Sequence, residues 1–232
     1  MYIHRARKGC IYILRERCIY ISWELAFPVP LNSREMSYEA KLQKHPRIES
    51  ALGTKRFVER VYDRARSRYL PKSIRLLFVA ESPPSSGGFF YFTRTIGKDH
   101  LFRETMKALE LWPISKPMVK GLDKRPLLDE FQSRGFFLVD TSPLPVDKLP
   151  PIERRLTILR EAPGLSTRVE DLDPQAVAIV KKTVYAPVRE ALEKNGLGPK
   201  ILNAGPIPFP SHGNQRRYRI LLKRLIEKIG TD

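Results

Sequence analysis

Four short segments are apolar along most of their length: IRLLFVA (74–80), GFFLVD (135–140), AVAIV (176–180) and KILNAG (200–205). Continuous apolar runs of this length predict strands covered on both faces, since a half-exposed strand would alternate. Segments with helical periodicity lie between and after them: HLFRETMKALELW, RPLLDEFQSRG, PIERRLTILREA, KTVYAPVREALEKNG and NQRRYRILLKRLIEKIG. Upstream, TKRFVERVYDRARSRYL spaces Phe57, Val58 and Val61 for one packed face and leaves a basic one. Strand and helix in alternation predict a three-layer α/β/α domain around a four-stranded parallel sheet. In that architecture ligands bind beyond the C-terminal ends of the strands.

The first 35 residues follow a different pattern. CIYI occurs at 10–13 and again at 18–21, which suits a short alternating hairpin. Equally, residues 1–35 are an extension ahead of a start at Met36 and the helical-looking SYEAKLQ, and the division expected is 1–35 and 36–232. With 232 residues the chain can bury about 70% of its unfolded surface in one domain. Cys10 and Cys18 are its only cysteines, too few for a disulfide framework or a four-cysteine metal site. A reducing, intracellular setting is expected, and no run is long and apolar enough to span a membrane.

Charge adds a partner to this picture. Lys and Arg number 42 against 25 Asp and Glu, a net charge of +17. Such an excess attracts polyanions, and nucleic acid is the partner expected. Three strand ends carry unusual loops: AESPPSSGGFFYF, DTSPLPVDKL and GPIPFPSHGNQRRYR. Neither phosphate-loop pattern, G-x-x-x-x-G-K or G-x-G-x-x-G, occurs in them. Their prolines fix φ and remove donors, which makes stiff walls for a ligand.

In order and in strand context these loops resemble the motifs of the uracil-DNA glycosylase superfamily over roughly residues 70–229. Ala80-Glu81-Ser82-Pro83-Pro84 looks like its first strand-end motif. Gly87-Gly88-Phe89-Phe90 is similar to the Gly-x-Pro-Phe of the thermophilic cluster-containing branch, with Phe90, or its neighbour Phe89, at the base-stacking place. VDTSPLP sets Asp140 where a base-reading Asn stands, and Phe209-Pro210-Ser211-His212-Gly213 looks like a modified His-Pro-Ser. The departures are specific. Ser82 stands where several branches have Asp or Asn, Phe209 replaces the motif histidine, and two cysteines cannot hold the branch's iron–sulfur cluster. An ionised Asp140 accepts but cannot donate, so it would repel uracil O4 and points to another base.

The resemblance implies hydrolysis of an N-glycosidic bond in DNA, without metal or other cofactor, by a monomer. Such chemistry needs a carboxylate near the sugar and donors near the departing base. Glu81 suits the first role, with turn capping or an ion pair to an arginine as the alternative. His212 suits the second, and Ser82 would line the base pocket. Ser211, Arg216, Arg217 and Arg219 would hold the DNA backbone where the last helix begins. Asn203, inside the last predicted strand, would satisfy a buried backbone group. Two rivals remain open: a non-catalytic nucleic-acid-binding protein of the same fold, and a small-molecule or nucleotide hydrolase using the same pocket.

Overall fold

The computed structural model describes Tyr12–Leu14, Arg17–Ile19 and residues 52–230 except 96 and 98. The chain divides into two compact units, Met1–Met36 and Ser37–Asp232. In the first, β1 (Tyr12–Leu14) and β2 (Arg17–Ile19) pair antiparallel with Ile13 opposite Cys18. The expected start at Met36 and the SYEAKLQ helix lie outside the described residues.

The second unit is a mixed α/β fold on a parallel sheet. Its strands are β3 (Leu76–Ala80), β4 (Phe136–Asp140) and β5 (Ala176–Ile179), in the order β4-β3-β5. Ala80 sits opposite Asp140, so β3 and β4 end level with one another. Every residue of the three strands is buried, as their unbroken apolar runs require. Among the described residues this parallel sheet has three strands, where the sequence predicts four. The segment 201–207 contributes only two parallel rungs, Ile201 to Val177 and Ile207 to Val180. Between them the Asn203 side chain stands in for backbone: its Oδ1 accepts from Ile179 N at 2.9 Å and its Nδ2 donates to Ile179 O at 3.1 Å. The amide thus satisfies a buried backbone group, the role expected of it.

Six α-helices complete the described fold: α1 (Leu52–Ser67), α2 (His100–Ala108), α3 (Arg125–Ser133), α4 (Pro151–Leu172), α5 (Lys182–Lys194) and α6 (Gln215–Lys228). On α1 the packed face is Val58, Tyr62, Ala65 and Arg66, while Phe57, expected to pack, is 38% exposed. Helix α4 runs ten residues past the end predicted at Ala162, through Pro163 and Gly164. Proline removes one intrahelical bond, but the buried face Ile158, Ala162, Leu165, Ser166 and Val169 continues on both sides of it. Ser166 Oγ also donates to Ala191 O of α5 at 3.0 Å. Helices α2 and α6 are joined by a buried Thr105–Tyr218 hydroxyl pair at 2.7 Å.

Candidate active site at the strand ends

The ends of β3, β4 and β5 deliver Glu81, Asp140 and Lys181 to one edge of the sheet. Glu81 is held by extension of the β3–β4 ladder, where Ser142 N donates to its carbonyl at 2.9 Å. Its carboxylate is 5% exposed and accepts from four donors on two helices and the loop ahead of one. Arg154 of α4 donates through Nε at 2.9 Å and through Nη2, Lys181 through Nζ, and Thr183 of α5 through Oγ1 at 2.9 Å. Burial alone would raise this carboxyl, but the bonds and charges of Arg154 and Lys181 outweigh it and hold Glu81 below the usual glutamate range. Glu81 therefore stays ionised at neutral pH. The ion pair with an arginine, left open from the sequence, is present.

Asp140 carries a second cluster. Its Oδ2 accepts from Arg66 Nη2 of α1 at 2.9 Å, and Arg66 also binds Asp63 at 2.8 Å and lies 5.5 Å over the Phe89 ring. Arg168 of α4 donates to the carbonyls of Asp140 and Thr141 at 3.2 and 3.0 Å. Burial pushes the Asp140 carboxyl up, and Arg66 opposes that rise. The sequence suggests a free carboxylate facing a base. The structure instead gives an acid already committed to Arg66.

The serine-proline turn after β3 is tied to the loop after β4. Ser82 Oγ accepts from Val146 N at 3.3 Å, and Asp147 accepts from Ser85 N and Oγ at 3.0 and 2.8 Å. Beside this turn, Ser82, Phe89, Phe90, His100, Asp140 and Phe209 line a pocket of about 80 Å³. Small-ligand pockets run to roughly 300 Å³ or more, so a base enters only if these walls part.

Phe89 and Phe90 do reach that pocket, but most of each ring is core, 1% and 3% exposed. Phe90 packs on Phe102 and Phe131 at 5.3 and 5.2 Å, and Phe89 meets Tyr62 edge-on at 4.8 Å. Behind them the wholly buried Lys124 donates to Asp99 at 2.7 Å and to the Phe89 carbonyl at 3.0 Å. This corrects the expected stacking lip: the two rings are held from three sides. Phe209, half-buried, is the more accessible wall, and Lys181 Nζ lies 5.4 Å from its ring. Phe209 thereby joins the Glu81 cluster to the pocket.

The remaining predicted residues separate. His212 is exposed, at φ 49°, with its Nδ1 2.9 Å from Ser211 Oγ. Arg216 and Arg217 are exposed on the first turn of α6. Arg219 is not a free phosphate ligand, because its Nη1 pairs with the buried Glu104 of α2 and ties the two helices.

Lys181, Arg154 and Thr183 bind Glu81 but are not singled out by the sequence motifs, since the loop after AVAIV carries no unusual composition. The strand-end rule extended to that third strand finds Lys181. Its backbone adds a signal only coordinates give: φ is 87° and ψ 130°, a region that costs a non-glycine residue about 1–3 kcal/mol. Its N–H donates to Ile207 O at 2.8 Å, which fixes that conformation and turns the side chain back to Glu81.

A larger concavity, about 340 Å³, lies at the opposite edge, where Arg75 precedes β3 and Phe136 begins β4. Its cations are already spent: Arg75 on Gly230 O at 2.8 Å, Arg134 on Glu130 at 2.8 Å and Lys223 on Glu110 at 2.6 Å. The chemistry-bearing groups are at the C-terminal edge. Among the described residues no three His, Cys, Asp or Glu gather as metal ligands, and no helix is long and apolar enough to cross a membrane. No protein-family model and no curated protein matches the chain.

Proposed function

We propose that the protein is a uracil-DNA-glycosylase-like hydrolase that removes a deaminated or damaged base from DNA, with Glu81 at the sugar and Phe209 against the base. In this reading residues 200–205 act as the fourth strand of a three-layer fold, and the rung from Ile201 to Val177 of β5 supports that. The observation that carries the proposal is the ionised Glu81, fixed by four hydrogen bonds at a strand end next to an aromatic-walled pocket. A fixed carboxylate can orient water and offset the positive charge of an oxocarbenium-like sugar. The net charge of +17 draws the polyanion in.

Oligonucleotides carrying uracil, hypoxanthine or xanthine, single- and double-stranded, test this by strand cleavage in alkali. Abasic product from one of the three is expected, reduced about 10²–10⁴-fold in Glu81→Gln with DNA binding retained. Binding with no product on any substrate would replace excision by simple nucleic-acid binding. That second reading is favoured by one observation, the commitment of Asp140 to Arg66.

Changing Arg216 and Arg217 together to Ala should shallow the plot of log affinity for DNA against log salt by up to about 2, roughly 0.9 for each phosphate that is no longer neutralised. An unchanged slope removes both from the interface.

A further inference from the structure

Resting on the reading of this edge as a base-excision site, we infer that Lys181 is an amine nucleophile which, with Glu81 as its proton acceptor, acts on the aldehyde that excision leaves. The two groups are in direct contact at adjoining strand ends, and their ion pair is mostly shielded from water. A primary amine beside a carboxylate at a place where a C1′ aldehyde forms is the equipment of imine chemistry. Burial also holds the Lys181 ammonium below the usual lysine range, even against the opposing Glu81 charge, and Arg154 acts in the same direction as burial. Arg154 also binds Glu81, so Glu81 stays anchored when its ion pair with Lys181 is discharged.

The steps balance without redox change or cofactor. Glu81 takes a proton from the Lys181 ammonium, and the freed Nζ lone pair adds to the C1′ aldehyde carbon. The resulting carbinolamine loses its hydroxyl as water, with Glu81 returning the proton, and a C=N iminium forms. Glu81 next takes a proton from C2′. The C3′–O bond then breaks, and the 3′-phosphate leaves with its electron pair. Water hydrolyses the protonated imine, releasing Lys181 as its ammonium and an unsaturated aldehyde on the nicked strand, and Glu81 passes the C2′ proton to the departed phosphate or to water.

The test uses the full chain and an oligonucleotide with a pre-formed abasic site, treated with sodium borohydride. No excision is needed, so failure here is separable from failure of the glycosylase reading. A covalent protein–DNA adduct is expected from the wild type and from Lys182→Arg, and its loss in Lys181→Arg, which keeps the positive charge. Peptide mapping of the reduced wild-type adduct should place the sugar on Lys181, a readout that needs no variant to fold. Absence of an adduct, its persistence in Lys181→Arg, or its mapping to another lysine would overturn the proposal.

Discussion

Lys124→Met is expected to lower the free energy of unfolding by about 3–5 kcal/mol, read as a fall in the urea midpoint. The side chain is 0% exposed, 2.7 Å from Asp99 and 4.1 Å over the Phe102 ring. Removing it strands an almost wholly buried carboxylate and leaves the Phe89 carbonyl with Phe92 N, at 3.2 Å, in place of two donors. Against a typical total of about 5–15 kcal/mol that is a large fraction. Burial already raises the Asp99 carboxyl. In the variant a protonated Asp99 is the cheaper buried form, so the deficit should be fullest above the ordinary aspartate range and shrink as pH falls. Adding Asp99→Leu should restore most of the loss, because an apolar pair of similar volume often replaces a buried ion pair at little cost. A loss under about 1 kcal/mol in the single variant would mean that water reaches Asp99.

Phe90→Ala is expected to cost about 3–5 kcal/mol of stability, by the cavity it opens against Phe102, Phe131 and Tyr91. Its DNA binding, measured well below the melting transition, should stay close to wild type. Phe209→Ala is its counterpart: a half-buried ring whose loss should leave the melting temperature little changed and weaken capture of an extruded base by about 1–3 kcal/mol. If Phe90→Ala melts like the wild type yet loses base capture, the assignment of the two rings is reversed.

The contrast between these rings marks where sequence reasoning stops. Three strands were legible because burial on both faces imposes an unbroken apolar run, and Leu76–Ala80, Phe136–Asp140 and Ala176–Ile179 all have one. Glu81 and Asp140 were legible as strand-end carboxylates for the same reason. Their partners were not: Arg66, Arg154, Arg168 and Thr183 reach them from helices up to about a hundred residues away, and no local spacing encodes such a meeting. Phe89 and Phe90 follow a glycine turn, which suggests an exposed lip. Their place in the core is set by Lys124 and Phe131, whose approach depends on how α3 docks. The length of α4 is hidden by Pro163, where packing overrides a local helix breaker.

The Asn203 amide has a consequence for how the sheet ends. A sheet normally ends in a row of free N–H and C=O groups that any passing strand can extend. Here the chain beyond β5 touches it at Ile201 and Ile207, and between those rungs a side chain takes the backbone's place. The outer face of that segment offers no regular ladder, and Pro206 and Pro208 remove two donors from it. On this side the sheet is finished instead of merely interrupted, and a strand from another molecule would find no continuous row of partners to extend.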